Sequence, residues 1–126
     1  MKHALELLLG HPRRLLGGFF AYLAGAFTLT HLPGDVVDVG SKDELVHTFG
    51  YLGLGLVLSA ALTAFGVARG RRLCVVVIGL LLYGVFDEVS QPWFGRTAEF
   101  GDLGSDVIGI TAAAAAWEAL LRRRVE

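Results

Sequence analysis

Four long stretches of this 126-residue chain consist almost entirely of uncharged, apolar residues. They cover approximately 15–33, 45–68, 73–90 and 103–121, and most charged residues fall in clumps between them. A helix needs about 20 mostly apolar residues to cross the hydrocarbon core of a bilayer. The sequence therefore predicts an all-α fold, a polytopic membrane four-helix bundle in which residues 1–126 form one transmembrane domain.

The third stretch is short as an uncharged run, because Asp87 follows Phe86 directly. To reach a membrane-spanning length, its last turn has to include Asp87, Glu88 and Gln91. Ionisable residues at membrane depth are costly and usually functional. This end of the third helix is therefore a candidate site.

The overall charge excludes one large class of function. Lys and Arg total 11 against 12 Asp and Glu, so the net charge is −1 and the chain has no cationic surface for nucleic acid. Cys74 is the single cysteine and lies in an apolar run. A disulfide framework and a thiolate metal cluster are excluded on that count.

Positive charge alternates along the chain and predicts an orientation. Nine basic residues flank one set of span ends: Lys2, Arg13, Arg14, Arg69, Arg71, Arg72, Arg122, Arg123 and Arg124. The other two loops contain only Lys42 and Arg96 with nine acids: Asp35, Asp38, Asp43, Glu44, Asp87, Glu88, Glu99, Asp102 and Asp106. Basic loops remain cytoplasmic. We expect a multi-pass protein of the cell membrane with both termini in the cytoplasm and an acidic extracytoplasmic face.

A cleavable signal peptide is the competing interpretation of the first stretch. It has a basic start, an apolar segment from Leu15 and the small-residue triplet Ala24-Gly25-Ala26. The apolar run continues past Ala26, which favours a retained helix.

Small residues and tryptophans predict how the helices pack. Gly, Ala, Ser or Thr recur four apart in three spans, at Gly17-Ala21-Gly25, at Gly55-Ser59-Thr63 and at Gly109-Ala113. Such spacing lets helix backbones approach closely inside a membrane. Trp93 and Trp117 lie near opposite ends of spans, as interfacial anchors do.

Polar residues gather at the acidic ends of all four predicted helices. Asp43, His47 and Tyr51 are four apart and share one helical face, and His31 ends the first span. Acids near a helix start favour its positive dipole end, so Asp102 is expected as the N-cap of the fourth helix, with Asp106 one turn later. Each helix thus brings at least one ionisable group to the same layer.

These spacings resemble a known family. The strings Asp87-Glu88-x-x-Gln91, then Arg96, then Asp102-x-x-x-Asp106-x-x-Gly109 resemble the signature of the VanZ-like family, and Asp43-x-x-x-His47-x-x-x-Tyr51 resembles its other motif. The chain departs at Glu44, where lysine is usual, and at Asp106, where asparagine is common. The resemblance implies a small helical membrane protein of the cell envelope. The family's namesake is associated with low-level resistance to the glycopeptide teicoplanin, by an undefined mechanism.

Residue types suggest roles and leave alternatives open. His47 and Asp87 are the catalytic candidates, and the ligand-binding candidates are Asp43, Glu88, Gln91, Arg96, Asp102 and Asp106. His47 could act as a general base oriented by Asp43, or only bridge helices. Asp87 is expected to face the bundle beside Gln91, while Glu88 pairs with Arg96 or meets the interface. Arg96 forms a salt bridge or clamps an anion.

A metal centre is not predicted, and the cofactor is left unknown. His31 and His47, with acids among Asp43, Asp87, Asp102 and Asp106, have suitable ligand atoms, yet the chain contains no compact motif such as H-E-x-x-H.

Three functions compete on this basis. In the first, the polar residues at the acidic helix ends form a pocket that binds the head group of an envelope lipid or a lipid-linked cell-wall precursor. In the second, the protein is a hydrolase or transferase that acts on a lipid-linked phosphate or acyl group. Alternatively, the polar residues form a structural network and function lies with partners. Membrane lipids are the expected partners in the first two cases.

Overall fold

The computed structural model describes residues 2–32 and 43–125, which fold almost entirely as helix with no strand in these ranges. The elements are α1 (Lys2–Leu9), α2 (Pro12–His31), α3 (Asp43–Ala64), α4 (Arg69–Ser90), a 3-10 helix (Gln91–Phe94) and α5 (Phe100–Val125). The all-α prediction is confirmed, and α1 is an additional helix that we did not predict. Pro33, Asp35, Asp38 and Lys42 lie outside the described residues.

Two segments are long and apolar enough to cross a membrane, Glu44–Ala64 and Arg69–Phe94. The described residues therefore contain two helices with this property, rather than the four that we predicted. Helix α2 contains Arg13, Arg14 and His31, and α5 contains Asp102, Asp106 and Glu118, and residues of this kind lower the mean hydropathy of a helix.

Two glycines end helices by the same backbone geometry. Gly66 has a φ of 71°, and its N–H donates to the Thr63 carbonyl while that of Val67 donates to Leu62. Gly95 has a φ of 77° and closes the 3-10 helix, where the Arg96 N–H donates to the Gln91 carbonyl at 3.2 Å. Glycine adopts this left-handed conformation at little cost. The second turn brings the chain back across the end of α4.

Helices α3 and α5 pack most extensively and approach most closely where side chains are smallest. A Cβ placed on Gly55 would lie 2.5 Å from that of Ala113, and one on Gly109 would meet the backbone of Thr48. The predicted close approach is thus confirmed at Gly55 and Gly109. It is wrong for Gly17 and Gly25 on α2, where an added Cβ would meet nothing within 4 Å.

The two tryptophans differ from each other. Trp117 is buried against Leu5 and Ala60, and its indole N–H donates to the Thr63 hydroxyl at 2.9 Å. It is a packing residue, so its assignment as an interfacial anchor is wrong. Trp93, in contrast, is 75% exposed.

Most basic groups of the described chain lie at one end of the helices and most acids at the other. At one end, Glu118 of α5 accepts hydrogen bonds from Arg69 Nε at 2.7 Å and Arg72 Nη2 at 2.5 Å, both on α4. These bonds join the start of α4 to the last part of α5, so the two helices run antiparallel. The acids of the predicted site lie at the other end of both helices.

Candidate functional site

A layer of polar side chains is buried at the acidic ends of the helices. Its members are His31, His47, Asp87, Glu88, Ser90, Gln91, Asp102, Ser105 and Asp106. The structure therefore brings together six of the eight residues proposed from sequence. Arg96 is half-buried beside them, and Asp43 begins α3 with a side chain outside the described part.

His47 lies at the centre of this layer, between three acids. Its Nδ1 lies 2.9 Å from Asp106 Oδ1 and 4.0 Å from Glu88 Oε1, and its Nε2 lies 3.9 Å from Asp102 Oδ2. Asp106 is 0% exposed. The close packing of α3 on α5 makes an acid from another helix the nearest described partner, where we expected Asp43 from one turn earlier.

Adjacent Asp87 and Glu88 are both buried, whereas we expected Asp87 to face the bundle and Glu88 to pair with Arg96 or meet the interface. They diverge around α4 and meet different neighbours. Asp87 Oδ1 accepts a hydrogen bond from the Thr30 hydroxyl at 3.0 Å. Glu88 accepts from Gln91 Nε2 at 3.0 Å and from the Glu99 backbone N–H at 3.1 Å. The chain that returns after Gly95 covers Glu88. The side chain of Gln91 also pairs with Glu88, rather than with Asp87.

A second histidine cluster, between α2 and α4, was missed in part by sequence reasoning. His31 Nε2 lies 2.8 Å from Ser90 Oγ, and His31 Nδ1 lies 3.7 Å from Asp87 Oδ1 and 2.9 Å from the Phe27 carbonyl. Ser90 also donates to the Asp87 carbonyl at 3.0 Å. The only sequence signal for Ser90 was its position three residues after Asp87, and Thr30 had none beyond its neighbour His31.

The start of α5 differs from the prediction. Asp102 lies within the first turn of α5, which begins at Phe100, so it is not the N-cap residue. Of the two departures from the family pattern, Glu44 is exposed, whereas Asp106 is fully buried against His47. Asp106 is thus the departure that affects the site.

Several buried oxygens of the layer have no hydrogen-bond partner in the described chain. They include the Tyr51 hydroxyl, Asp87 Oδ2, Gln91 Oε1 and Asp106 Oδ2. Two of them converge, since a Cβ placed on Gly84 would lie 2.9 Å from Asp106 Oδ2 and 3.5 Å from the Tyr51 hydroxyl oxygen. Buried polar atoms without partners are costly, so this layer is suited to binding something more.

Three side chains of the layer offer ligand atoms for a metal ion. One atom from each of His47, Glu88 and Asp106 lies within 4.8 Å of the other two, and all three residues are buried. Imidazole nitrogen and carboxylate oxygen are ligands that divalent cations accept. His31 pairs with Asp87 separately and is not in this set.

A cleft of about 370 Å³ between α2 and α3 leads to the layer. Its walls are mainly apolar or small residues, including Gly25 on α2 and Gly50 on α3. Thr30, His47 and Tyr51 supply its polar lining. The cleft thus has mainly apolar walls and a polar end.

No protein-family model, curated protein or solved structure matches this chain. The resemblance to the VanZ-like family consequently stays a prediction from the motifs.

Proposed function

We propose that this chain is a multi-pass membrane protein whose four long helices form a bundle across the bilayer. Its polarity supports this, because the acids and histidines of the polar layer are buried at one end while large apolar side chains face outward. On α4 these are Val75, Ile78, Leu82, Val85, Phe86 and Val89. Only 44% and 33% of the most apolar windows of α3 and α4 are buried, whereas the core helix of a soluble protein is mostly covered.

The charge separation supports the orientation. Arg69, Arg72 and the end of α5 lie on one side, which we assign to the cytoplasm by the preference of basic residues for that side. The N-terminus is placed on the same side. The buried histidine and acid layer is then close to the extracytoplasmic surface.

The function that we propose is binding of a membrane lipid or a lipid-linked precursor of the cell envelope. The observation that carries it is the cleft between α2 and α3, because its apolar walls fit an acyl or polyprenyl chain and His47 lies at its polar end. Binding sites for small molecules commonly combine an apolar lining with a few convergent polar groups. A VanZ-like protein of the cell envelope would be consistent with such a ligand.

The acids behind the cleft favour certain head groups. His47 has Asp106 and Glu88 on its Nδ1 side and Asp102 on its Nε2 side. Without a bound cation, a bare phosphate would meet like charges there, which costs several kcal/mol. Head groups that carry an amine or several hydroxyl donors are therefore the preferred ligands.

Filling the cleft tests this proposal. Gly50→Leu places a side chain where an added Cβ meets nothing within 4 Å, so the protein should fold while the cleft is blocked. We expect the amount of co-purifying lipid, measured by mass spectrometry after extraction in mild detergent, to fall about tenfold, which corresponds to about 1.4 kcal/mol of binding free energy.

The matched control is Gly79→Leu on α4, which is equally open and does not line the cleft. It should retain the lipid composition of the wild type. Unchanged lipid in Gly50→Leu, or an equal loss in Gly79→Leu, would contradict the assignment of the cleft.

A hydrolase remains the second candidate because of one arrangement. Ser90 Oγ, His31 and Asp87 follow the serine-histidine-acid order of a catalytic triad. However, Ser90 is 1% exposed, and the nearest acceptor of His31 Nδ1 is the Phe27 carbonyl rather than Asp87. His47 is also a poor general base as placed, since both of its ring nitrogens face acids.

We therefore expect no reaction of Ser90 with a fluorophosphonate, which labels activated serines. The measurement is intact-protein mass spectrometry of the wild type, with Ser90→Ala as the control. Labelling that disappears in Ser90→Ala would instead establish the hydrolase.

A purely structural network predicts a third pattern, in which Gly50→Leu leaves the lipid content unchanged and no serine is labelled.

A further inference from the structure

The convergence of His47, Glu88 and Asp106 carries an inference beyond lipid binding. We propose that these three residues bind one divalent transition-metal cation, zinc(II) or manganese(II). They come from α3, α4 and α5, so the cation would join three helices at the buried layer. Because a mixture of imidazole and carboxylate ligands suits zinc and manganese, these two are favoured over calcium.

The distances fit a shared cation after a small adjustment. His47 Nδ1 and Asp106 Oδ1 are 2.9 Å apart, and His47 Nδ1 and Glu88 Oε1 are 4.0 Å apart. Zinc bonds to these atoms are about 2.0–2.2 Å long, so two ligand atoms separated by up to about 4 Å can reach one ion. The full set spans no more than 4.8 Å, so a bound cation would have to draw the three ligand atoms slightly closer together.

Oxygens without partners point to a ligand independently of the three-residue set. Gln91 is 1% exposed, and its Oε1 has no partner although its Nε2 donates to Glu88 Oε1. The Tyr51 hydroxyl is likewise without a partner and converges with Asp106 Oδ2 beside Gly84. Each is a hard oxygen donor that a cation, or water bound to a cation, would satisfy.

Charge supports the same conclusion. Within residues 2–32 and 43–125, Glu88 and Asp106 form ion pairs only with His47. Two buried carboxylates around one imidazole leave negative charge that a divalent cation offsets.

Asp102 lies on the side of His47 where metal-binding histidines usually have an orienting carboxylate, at a separation longer than a hydrogen bond. Its Oδ2 lies 3.9 Å from His47 Nε2, the ring nitrogen opposite to the proposed ligand atom. Such outer carboxylates fix the imidazole tautomer, and their loss typically weakens metal binding 10–100-fold. Asp102 is thus a positioning residue, and Asp102→Asn should show a graded effect.

The test uses the full chain in detergent, first stripped with EDTA and then titrated separately with ZnCl₂, MnCl₂ and MgCl₂. His3 and His11, which lie near the start of the chain, are replaced by glutamine in every variant so that their imidazoles cannot bind the added metal. We expect one equivalent of zinc or manganese by elemental analysis, together with a higher melting temperature. Asp106→Asn and Glu88→Gln preserve side-chain size and should each weaken binding more than Asp102→Asn does, because each removes a charged ligand rather than a neighbour of one.

Asp87→Asn is the matched control, because Asp87 is an equally buried acid paired with the other histidine, His31. It should lose far less cation affinity than Asp106→Asn does, because Asp87 does not belong to the three-residue set. Absence of stoichiometric binding by the stripped wild type, or an equal loss in Asp87→Asn and Asp106→Asn, would overturn the site. If Asp106→Asn or Glu88→Gln does not fold, Asp102→Asn decides: wild-type affinity in that variant rejects the proposed geometry, and a 10–100-fold loss supports it.

The cation site and the lipid cleft can fail separately. Lipid retention by the EDTA-stripped wild type tests the cleft without a cation, and zinc binding by Gly50→Leu tests the cation site with the cleft filled. Neither result depends on the other proposal.

Discussion

Gly109→Leu should prevent α3 and α5 from packing and lower the free energy of unfolding by more than about 3 kcal/mol. The reason is that even a Cβ at Gly109 would lie against the Thr48 carbonyl oxygen and 2.9 Å from the Leu52 backbone nitrogen. Overpacking typically costs about 1–3 kcal/mol, and here the obstructing atoms are backbone, which cannot rotate away. The measurement is folded yield and thermal unfolding in detergent.

Gly104→Leu is the matched control in the same helix. An added Cβ at Gly104 meets nothing within 4 Å, and leucine is a better helix former than glycine by about 0.8–1 kcal/mol. This variant should be at least as stable as the wild type. A Gly109→Leu protein that melts at the wild-type temperature would refute the close contact between α3 and α5.

His47→Leu is expected to have the second large effect, destabilising the protein by about 3–5 kcal/mol. It removes the imidazole between Asp106, Glu88 and Asp102 and leaves buried acids without that partner. The cost should appear in EDTA, where no divalent cation contributes. Chemical or thermal unfolding monitored by circular dichroism measures it.

The double variant His47→Leu/Asp106→Leu separates charge from packing. Replacing both members of a buried pair by apolar residues is often neutral or even stabilising, whereas removing one member is costly. The double variant should therefore recover at least half of the stability lost in His47→Leu. Additive losses from the two substitutions, or a single variant with wild-type stability, would show that the pair does not act electrostatically.

Helix positions were predictable from sequence because apolar runs and glycines act locally. The apolar stretch at 45–68 corresponds to α3 at Asp43–Ala64, and its end at Gly66 follows from the left-handed conformation that glycine tolerates. α1 could not be predicted on the same basis, since it is only eight residues long. Its Leu5 is buried by a tertiary contact with Trp117.

The candidate site was predictable as a set of residues but not as a set of pairs. Polar spacing predicted that His47, Asp87 and Glu88 would lie in one layer, and all three are buried there. The amide of Gln91 donates to Glu88 rather than meeting Asp87, and the expected orientation of His47 by Asp43 lies outside the described side chains. Ser90 was missed because a serine in an apolar helix carries no distinctive pattern until His31 from α2 packs against it.

The sequence by itself determined that this chain is helical and that its basic and acidic residues fall in alternating clumps, whereas only two of the four predicted spans are long and apolar enough in the described part of the structure to cross a membrane. Hydrophobic length, glycine geometry and charge are properties of neighbouring residues, so they can be read directly from the order of the chain. Only the tertiary structure decided that Asp106 is the acid hydrogen-bonded to His47, that Glu88 is covered, and that a cleft reaches this layer. Those features depend on how closely α3 approaches α5 and on where the chain returns after Gly95, and both arise from packing between residues far apart in sequence.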